Sequence, residues 1–147
     1  MLRSRRLQVV LAVEERKEQA ALERLTEARE RMQQHLEQVQ NLQRYQQEYQ
    51  AQMRQGREGP VSAARLQSWQ AFVSQLDAVI QQQQRLLDQA ERQFENCRQD
   101  WLRAWERRRG MEKYIDSCRQ QEQREQDARD QKLADESAGR AFARRQQ

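Results

Sequence analysis

The sequence predicts an all-α protein, a long antiparallel two-helix coiled coil (a helical hairpin) with a C-terminal helical overhang. Three observations carry that expectation. First, the 147 residues include one Pro, four Gly and 29 Gln, so helix formers dominate and helix breakers nearly vanish. Second, hydrophobic residues make up 36% of the chain against 34% charged, which suffices for a narrow apolar seam but not for the core of an ordinary globule. Third, apolar residues recur every seven positions over most of the chain, the pattern of helices that pack along a shared stripe.

Helix 1 is expected over about 3–53. Its a positions are Leu11, Glu18, Leu25, Met32, Val39, Gln46 and Met53, and its d positions are Leu7, Glu14, Ala21, Ala28, His35, Leu42 and Tyr49. Glu14 and Glu18 interrupt that seam. The stretch Gly56-Arg57-Glu58-Gly59-Pro60 combines two glycines with the only proline, which places a turn over 54–61.

Helix 2 follows over about 62–136. Ser62 is suited to N-cap it, although Arg65 stands where a capping box has Glu or Gln. Its a series is Leu66, Val73, Ile80, Leu87, Phe94, Trp101, Arg108 and Ile115, and its d series is Trp69, Leu76, Gln83, Ala90, Cys97, Ala104, Met111 and Cys118. Beyond Cys118 the apolar stripe thins, and 137–147 is expected to be disordered. The whole chain, 1–147, then forms a single coiled-coil domain.

In an antiparallel pair, a residues face d residues. Both series, with the turn centred between Arg57 and Glu58, agree on paired positions that sum to 115: Val39 meets Leu76, Leu42 meets Val73, Leu25 meets Ala90 and Tyr49 meets Leu66. Helix 2 then overhangs beyond about Ile115. Trp101 lies opposite Glu14, and Arg5 and Arg6 are level with Arg107, Arg108 and Arg109 as a basic collar at the open end.

Several function classes are excluded or disfavoured. The longest apolar run, Val9 to Val13, is far short of the roughly 20 residues of a membrane span. Arg3, Arg5 and Arg6 before it imitate a signal peptide, but Glu14, Glu15 and Arg16 follow without a small-residue cleavage site. Cys97 and Cys118 are about 31 Å apart along one helix, so they do not bridge, and a reducing cytoplasm fits. The net charge of +4 is spread evenly, at +1 in each of 1–53, 54–61, 62–118 and 119–147. Such interleaving marks a solvated helical surface, whereas a phosphate-binding face gathers one sign. Nucleic-acid binding and a self-associating filament remain as minor alternatives.

Catalysis has little to work with, and the chain is read as no enzyme. His35 is the only histidine and falls on the seam, two cysteines lack zinc-ligand spacing, and Gly56-x-x-Gly59 lacks the Lys-Ser/Thr of a phosphate loop. No cofactor or metal is expected. What the hairpin offers is apolar surface beside the seam. Phe72, Val79 and Leu86 occupy successive g positions of helix 2, and Tyr45 is at g of helix 1. Gln38, Leu42, Tyr45, Tyr49, Phe72, Leu76, Val79 and Gln83 should line one face near the turn, as a partner surface or as a widened core.

Leu42-x-x-Tyr45-Gln-x-x-Tyr49, a turn, and Leu66-x-x-Trp69-Gln-x-Phe72-x-x-x-Leu76-x-x-x-Ile80 on a Gln-rich chain of this length resemble the FliJ family of the flagellar type III export apparatus. The specific part of the likeness runs from about 38 to 83. It implies a cytoplasmic stalk or adaptor, similar to the coiled coil of a rotary ATPase gamma subunit, that couples the hexameric export ATPase to the membrane export gate FlhA and assists export chaperones. It implies gate binding at Phe72, Leu76, Val79 and Gln83, with Val79 where a smaller Ala and Gln83 where a His can stand, and an adjoining surface at Gln38, Leu42, Tyr45 and Tyr49. The open end would enter the ATPase ring, where Arg5, Arg6, Arg107, Arg108 and Arg109 are the expected contacts. The chain would be peripheral to the cytoplasmic face of the inner membrane through its partners, without direct insertion. The equivalent stalk of a virulence injectisome is the nearest alternative.

Overall fold

The structure, a computed structural model, describes residues 2–56 and 62–146. It contains two helices, α1 (Arg3–Gln55) and α2 (Ala63–Arg145), and no strand among the described residues. The helices pack against each other as a helical hairpin. Of the expected turn, residues 57–61 lie outside the described residues. Ser62 caps α2 as its hydroxyl suggested: the Arg65 backbone N–H donates to Ser62 Oγ at 3.2 Å, and the Leu66 N–H donates to the Ser62 carbonyl at 3.1 Å.

The heptad assignment is visible residue by residue in burial. Every a and d residue of α1 from Leu7 to Met53 is buried or half-buried, and the same holds on α2 from Trp69 to Cys118. Leu66, the first a position of α2, is exposed. Packing divides the chain into two compact units, one formed by Met1–Ala20 with Leu102–Gln147 and the other by Ala21–Trp101.

In the Ala21–Trp101 unit the core is Ala21, Ala28, Val39, Leu76, Leu87 and Ala90. Alanines at the seam allow close backbone approach, while each buried Val or Leu contributes about 1.5–3 kcal/mol relative to exposure. Gln46 donates from its amide to Asp77 across the two helices, and Tyr49 packs on Phe72 with ring centroids 4.5 Å apart. In the other unit Ser4, Ala104 and Ile115 are buried, Ile115 to 1% exposure. Ser4 and Glu122 are bonded twice, and Arg108 pairs with Glu18.

These contacts correct the register. Ser4–Glu122 and Glu18–Arg108 each sum to 126, and Arg3 lies over the Tyr114 ring at a sum of 117, which together bracket an a-to-d pairing of 122, one heptad beyond 115, with the sealed Ile115 level with Leu7. Under the expected pairing Ile115 would have had nothing opposite it. Within the Ala21–Trp101 unit the Gln46–Asp77 bond and the exposure of Leu66 give the same answer. Val39 is therefore level with Gln83, Leu42 with Ile80, Leu25 with Cys97 and Tyr49 with Val73. The reason is that a period-seven seam is unchanged by a shift of seven, so apolar matching alone left the turn length to decide.

Two further expectations change with it. The overhang starts after Glu122, the last residue of α2 that is not exposed, and not at Ile115. The segment expected to be disordered, 137–147, is helical as far as Arg145. Its own i,i+4 contacts support it: Gln123 to Asp127 at 2.9 Å, Gln126 to Asp130 and Gln131 to Asp135 at 3.0 Å, and Arg140 to Glu136 at 3.8 Å. Such pairs stabilise by only about 0.2–0.5 kcal/mol each, and no seam residue protects the segment. Amide hydrogen exchange should therefore be much faster over 123–145 than over 80–118, and equal protection in the two stretches would contradict the assignment of the overhang.

The Ser4–Glu122 contact closes the start of α1. The Ser4 hydroxyl donates to Glu122 Oε2 at 2.6 Å and the Ser4 backbone N–H to Oε1 at 3.0 Å. A carboxylate from α2 thus satisfies an orphan donor at the positive end of α1. The Ser4 hydroxyl first, and its backbone N–H second, hold the Glu122 carboxyl below the usual carboxylate range. The contact therefore contributes stability above the ordinary carboxylate pKa and loses it as pH falls through the lowered value. In a carboxyl-carbon NMR titration, Glu122 is expected to titrate below the ordinary carboxylate range, and Ser4→Ala, which removes the first of its two partners, should move it back towards that range. A Glu122 midpoint within the ordinary carboxylate range in the unsubstituted protein would refute the contact.

Candidate partner-binding surface

The g positions Tyr45 and Phe72, with the d residue Tyr49 beside them, form one aromatic cluster. Tyr45 meets Phe72 edge-on, with centroids 6.3 Å apart and planes at 78°, and Tyr49 lies against the same ring at 4.5 Å. Edge-to-face and tilted pairs of this kind suit the ring quadrupoles. Tyr45 remains 50% exposed, while Phe72 and Tyr49 are half-buried. Phe72 thus stands between the two roles weighed from the sequence, since it packs across the hairpin and still offers surface.

The other expected positions separate by depth. Val79 is 43% exposed and Gln38 is exposed, so both are available to a partner. Leu42 is half-buried. Leu76 is buried in the core, which corrects its placement on the face: as a d residue it points into the seam. Gln83 is half-buried, and its amide oxygen is sheltered with no hydrogen-bond partner. The accessible surface therefore consists of Gln38, Tyr45, part of Phe72 and Val79.

The basic collar is not formed. Arg108 lies in the seam between Glu18 and Glu112, bonded to Glu112 at 2.6 Å, and Arg109 approaches Glu112 at 3.7 Å. Glu112 first and Glu18 second raise the Arg108 pKa further above its ordinary value, which keeps the guanidinium charged. Arg5 faces a shallow hollow shared with Arg119, Glu122 and Arg129. The one-heptad shift moved Arg5 and Arg6 away from the level of Arg107 to Arg109. Trp101 likewise belongs to the Ala21–Trp101 unit and is level with Ala21, so bulk meets a small residue there; Glu14 is level with Arg108.

Three features escaped the sequence reading. The Ser4–Glu122 contact joins residues 118 apart, with no local signal. The Glu18–Arg108 pair was signalled by two opposite charges on a positions, though only in the correct register. A groove of about 570 Å³ lined by Gln50, Arg54, Trp69, Gln70, Val73 and Ser74 lies between the helices, and the e positions Gln50 and Gln70 beside Trp69 would have pointed to it.

Among the described residues no group of three or more His, Cys, Asp or Glu is placed to hold a metal ion. Cys97 and Cys118 are both free and half-buried. His35 is half-buried on the seam, beside a hollow of about 110 Å³ lined also by Arg31, Gln89 and Gln93. No helix among the described residues is long and apolar enough to cross a membrane.

The fold is of the helical-hairpin class, with a seam core and an aromatic patch at its surface. The family model described as the flagellar FliJ protein matches residues 3–147. The chain belongs to the FliJ family, and is a protein related to flagellar type III export. Searches for similar curated proteins and for similar solved structures returned no match.

Proposed function

We propose that this chain is a catalytically inert adaptor of the flagellar export apparatus, coupling the hexameric export ATPase to the gate protein FlhA and assisting chaperone handling at the cytoplasmic face of the inner membrane. The observation that carries the reading is the cluster of Tyr45, Tyr49 and Phe72 with Val79 exposed beside it. Aromatic anchors of this kind, half held by their own fold, lose little entropy on binding and dominate interfaces. The gate is assigned to this face by the likeness of its residues to the family pattern, and the flagellar system is favoured over the injectisome by the family match.

The ATPase contact is assigned to the part of the hairpin that contains the start of α1. Arg5 and Arg6 are exposed there, as is Arg107 in the same unit, and these three are the candidates that remain once Arg108 and Arg109 are engaged with Glu112. Adding the chain to the purified ATPase is expected to raise its hydrolysis rate. Arg5→Gln with Arg6→Gln should weaken that stimulation and make it less sensitive to salt, since exposed charges act through a screened field. Unchanged stimulation by the double variant at low and physiological salt would remove these arginines from the contact.

A further inference from the structure

We infer that the ion-pair layer of Glu18, Arg108 and Glu112 is a register lock, selecting one of two helix pairings that lie seven residues apart. Both the observed pairing and the one a heptad away set every a residue of α1 opposite a d position of α2, so the seam pattern itself is degenerate. Within the Ala21–Trp101 unit the polar seam residues do not break the tie. His35, Gln46 and Gln83 are level with Leu87, Leu76 and Val39 as observed, and would be level with Ile80, Trp69 and Met32 in the other pairing, an apolar partner each time. The Gln46–Asp77 bond favours the observed state, but it is exposed, where water competes for both groups.

The layer around Arg108 discriminates far more strongly. Arg108 sits at an a position with its side chain only 20% exposed, paired to Glu18 at 18% and to Glu112. Glu14, a second carboxylate on the seam, is level with it, held loosely by Lys17 at 3.8 Å. A slip of one heptad, about 10 Å along the helix, would set Arg108 level with Leu7, Glu14 with Trp101 and Glu18 with Cys97. Glu14 and Glu18 would then face apolar side chains, Glu18 without its cross-helix partner, and Arg108 would keep only Glu112 on its own helix, which is the costly half of a partly buried pair. A polar residue at a single a position is known to fix register in coiled coils for this reason.

Disulfide trapping tests the lock in the full chain with Cys97→Ser and Cys118→Ser. Leu11→Cys with Met111→Cys reports the observed pairing, and Leu11→Cys with Ala104→Cys reports the slipped one, because a bridge needs Cα atoms within about 7 Å. In the otherwise unsubstituted layer the first pair should oxidise at least about tenfold faster than the second. Replacing Glu14, Glu18 and Arg108 together by Leu keeps the seam apolar and helical, so folding is retained while the bias should fall to within about threefold. Glu18→Arg alone, which sets two guanidinium groups across the seam, should also erode it. A triple-leucine variant that retains the full bias would overturn the lock and leave the register to the apolar seam or the connection between the helices.

Discussion

Ile115→Ala is expected to destabilise the hairpin by about 2–5 kcal/mol, the cost of removing a fully buried aliphatic side chain and leaving a cavity. Ile115 is 1% exposed, the largest side chain so completely enclosed. For a chain of this size each kcal/mol lowers Tm by roughly 2–4 °C, so the variant should be evident in thermal melts followed by circular dichroism. Its neighbour Asp116, exposed on α2, provides the control, and Asp116→Ala should stay within about 0.5 kcal/mol. The size of the Ile115 effect distinguishes the two registers. With the pairing one heptad away, Ile115 would sit at the edge of an unpaired overhang and its truncation would cost little.

Phe72→Ala is expected to weaken gate binding by about 1–3 kcal/mol, roughly five- to 150-fold, through loss of the ring on which Tyr45 and Tyr49 converge. Because that ring is half-buried, some loss of fold stability accompanies it, and the comparison with other positions gives the result its meaning. Val79→Gln removes an exposed apolar group and should weaken binding with Tm unchanged. Leu87→Ala, in the core, should lower stability by about 2–5 kcal/mol while leaving the affinity of the folded protein intact. Titration calorimetry with the cytoplasmic part of the gate, alongside melts of each variant, checks all three. Binding that fell in proportion to Tm across the set would identify Phe72 as core and not as an anchor.

The helical architecture was legible in the sequence because seam residues betray themselves by spacing. Leu25, Met32 and Val39, or Leu87, Phe94 and Trp101, need no tertiary information to be placed on one stripe. Even Glu14 and Glu18 were correctly put on that stripe, and they proved to face Arg108. Register was not legible for a symmetry reason: a sequence with period seven looks the same to itself after seven residues, and the information that distinguishes Leu25 opposite Cys97 from Leu25 opposite Ala90 lies in a few polar contacts between distant residues. The end of α2 was misjudged because its stripe was read for packing alone, whereas Gln–Asp pairs at i,i+4 support the helix locally through Arg145.

The aromatic surface followed the same division. Tyr45 and Phe72 share a face by their g positions, Tyr49 joins them from the neighbouring d position and by a likeness of motif, and the rings do meet. Leu76 was grouped with them by position in the motif, yet it is a d residue and is buried. The five arginines were grouped by register alone, so the one-heptad correction separated them. Stripe positions along each helix therefore hold, whereas the levels assigned between the helices are displaced by one heptad.

Coupling of the ATPase to the gate requires one molecule to hold both partners at once, and a bridging assay measures that directly. The cytoplasmic part of the gate is immobilised, and purified export ATPase is passed over it with and without this chain. Retention of the ATPase should appear only when the chain is present, rise with its concentration to a maximum and then fall as excess chain saturates each partner separately. Phe72→Ala and Val79→Gln should reduce retention without reducing stimulation of the ATPase. If the chain binds the gate and the ATPase singly but each displaces the other, so that no bridged complex forms at any concentration, the adaptor role is contradicted.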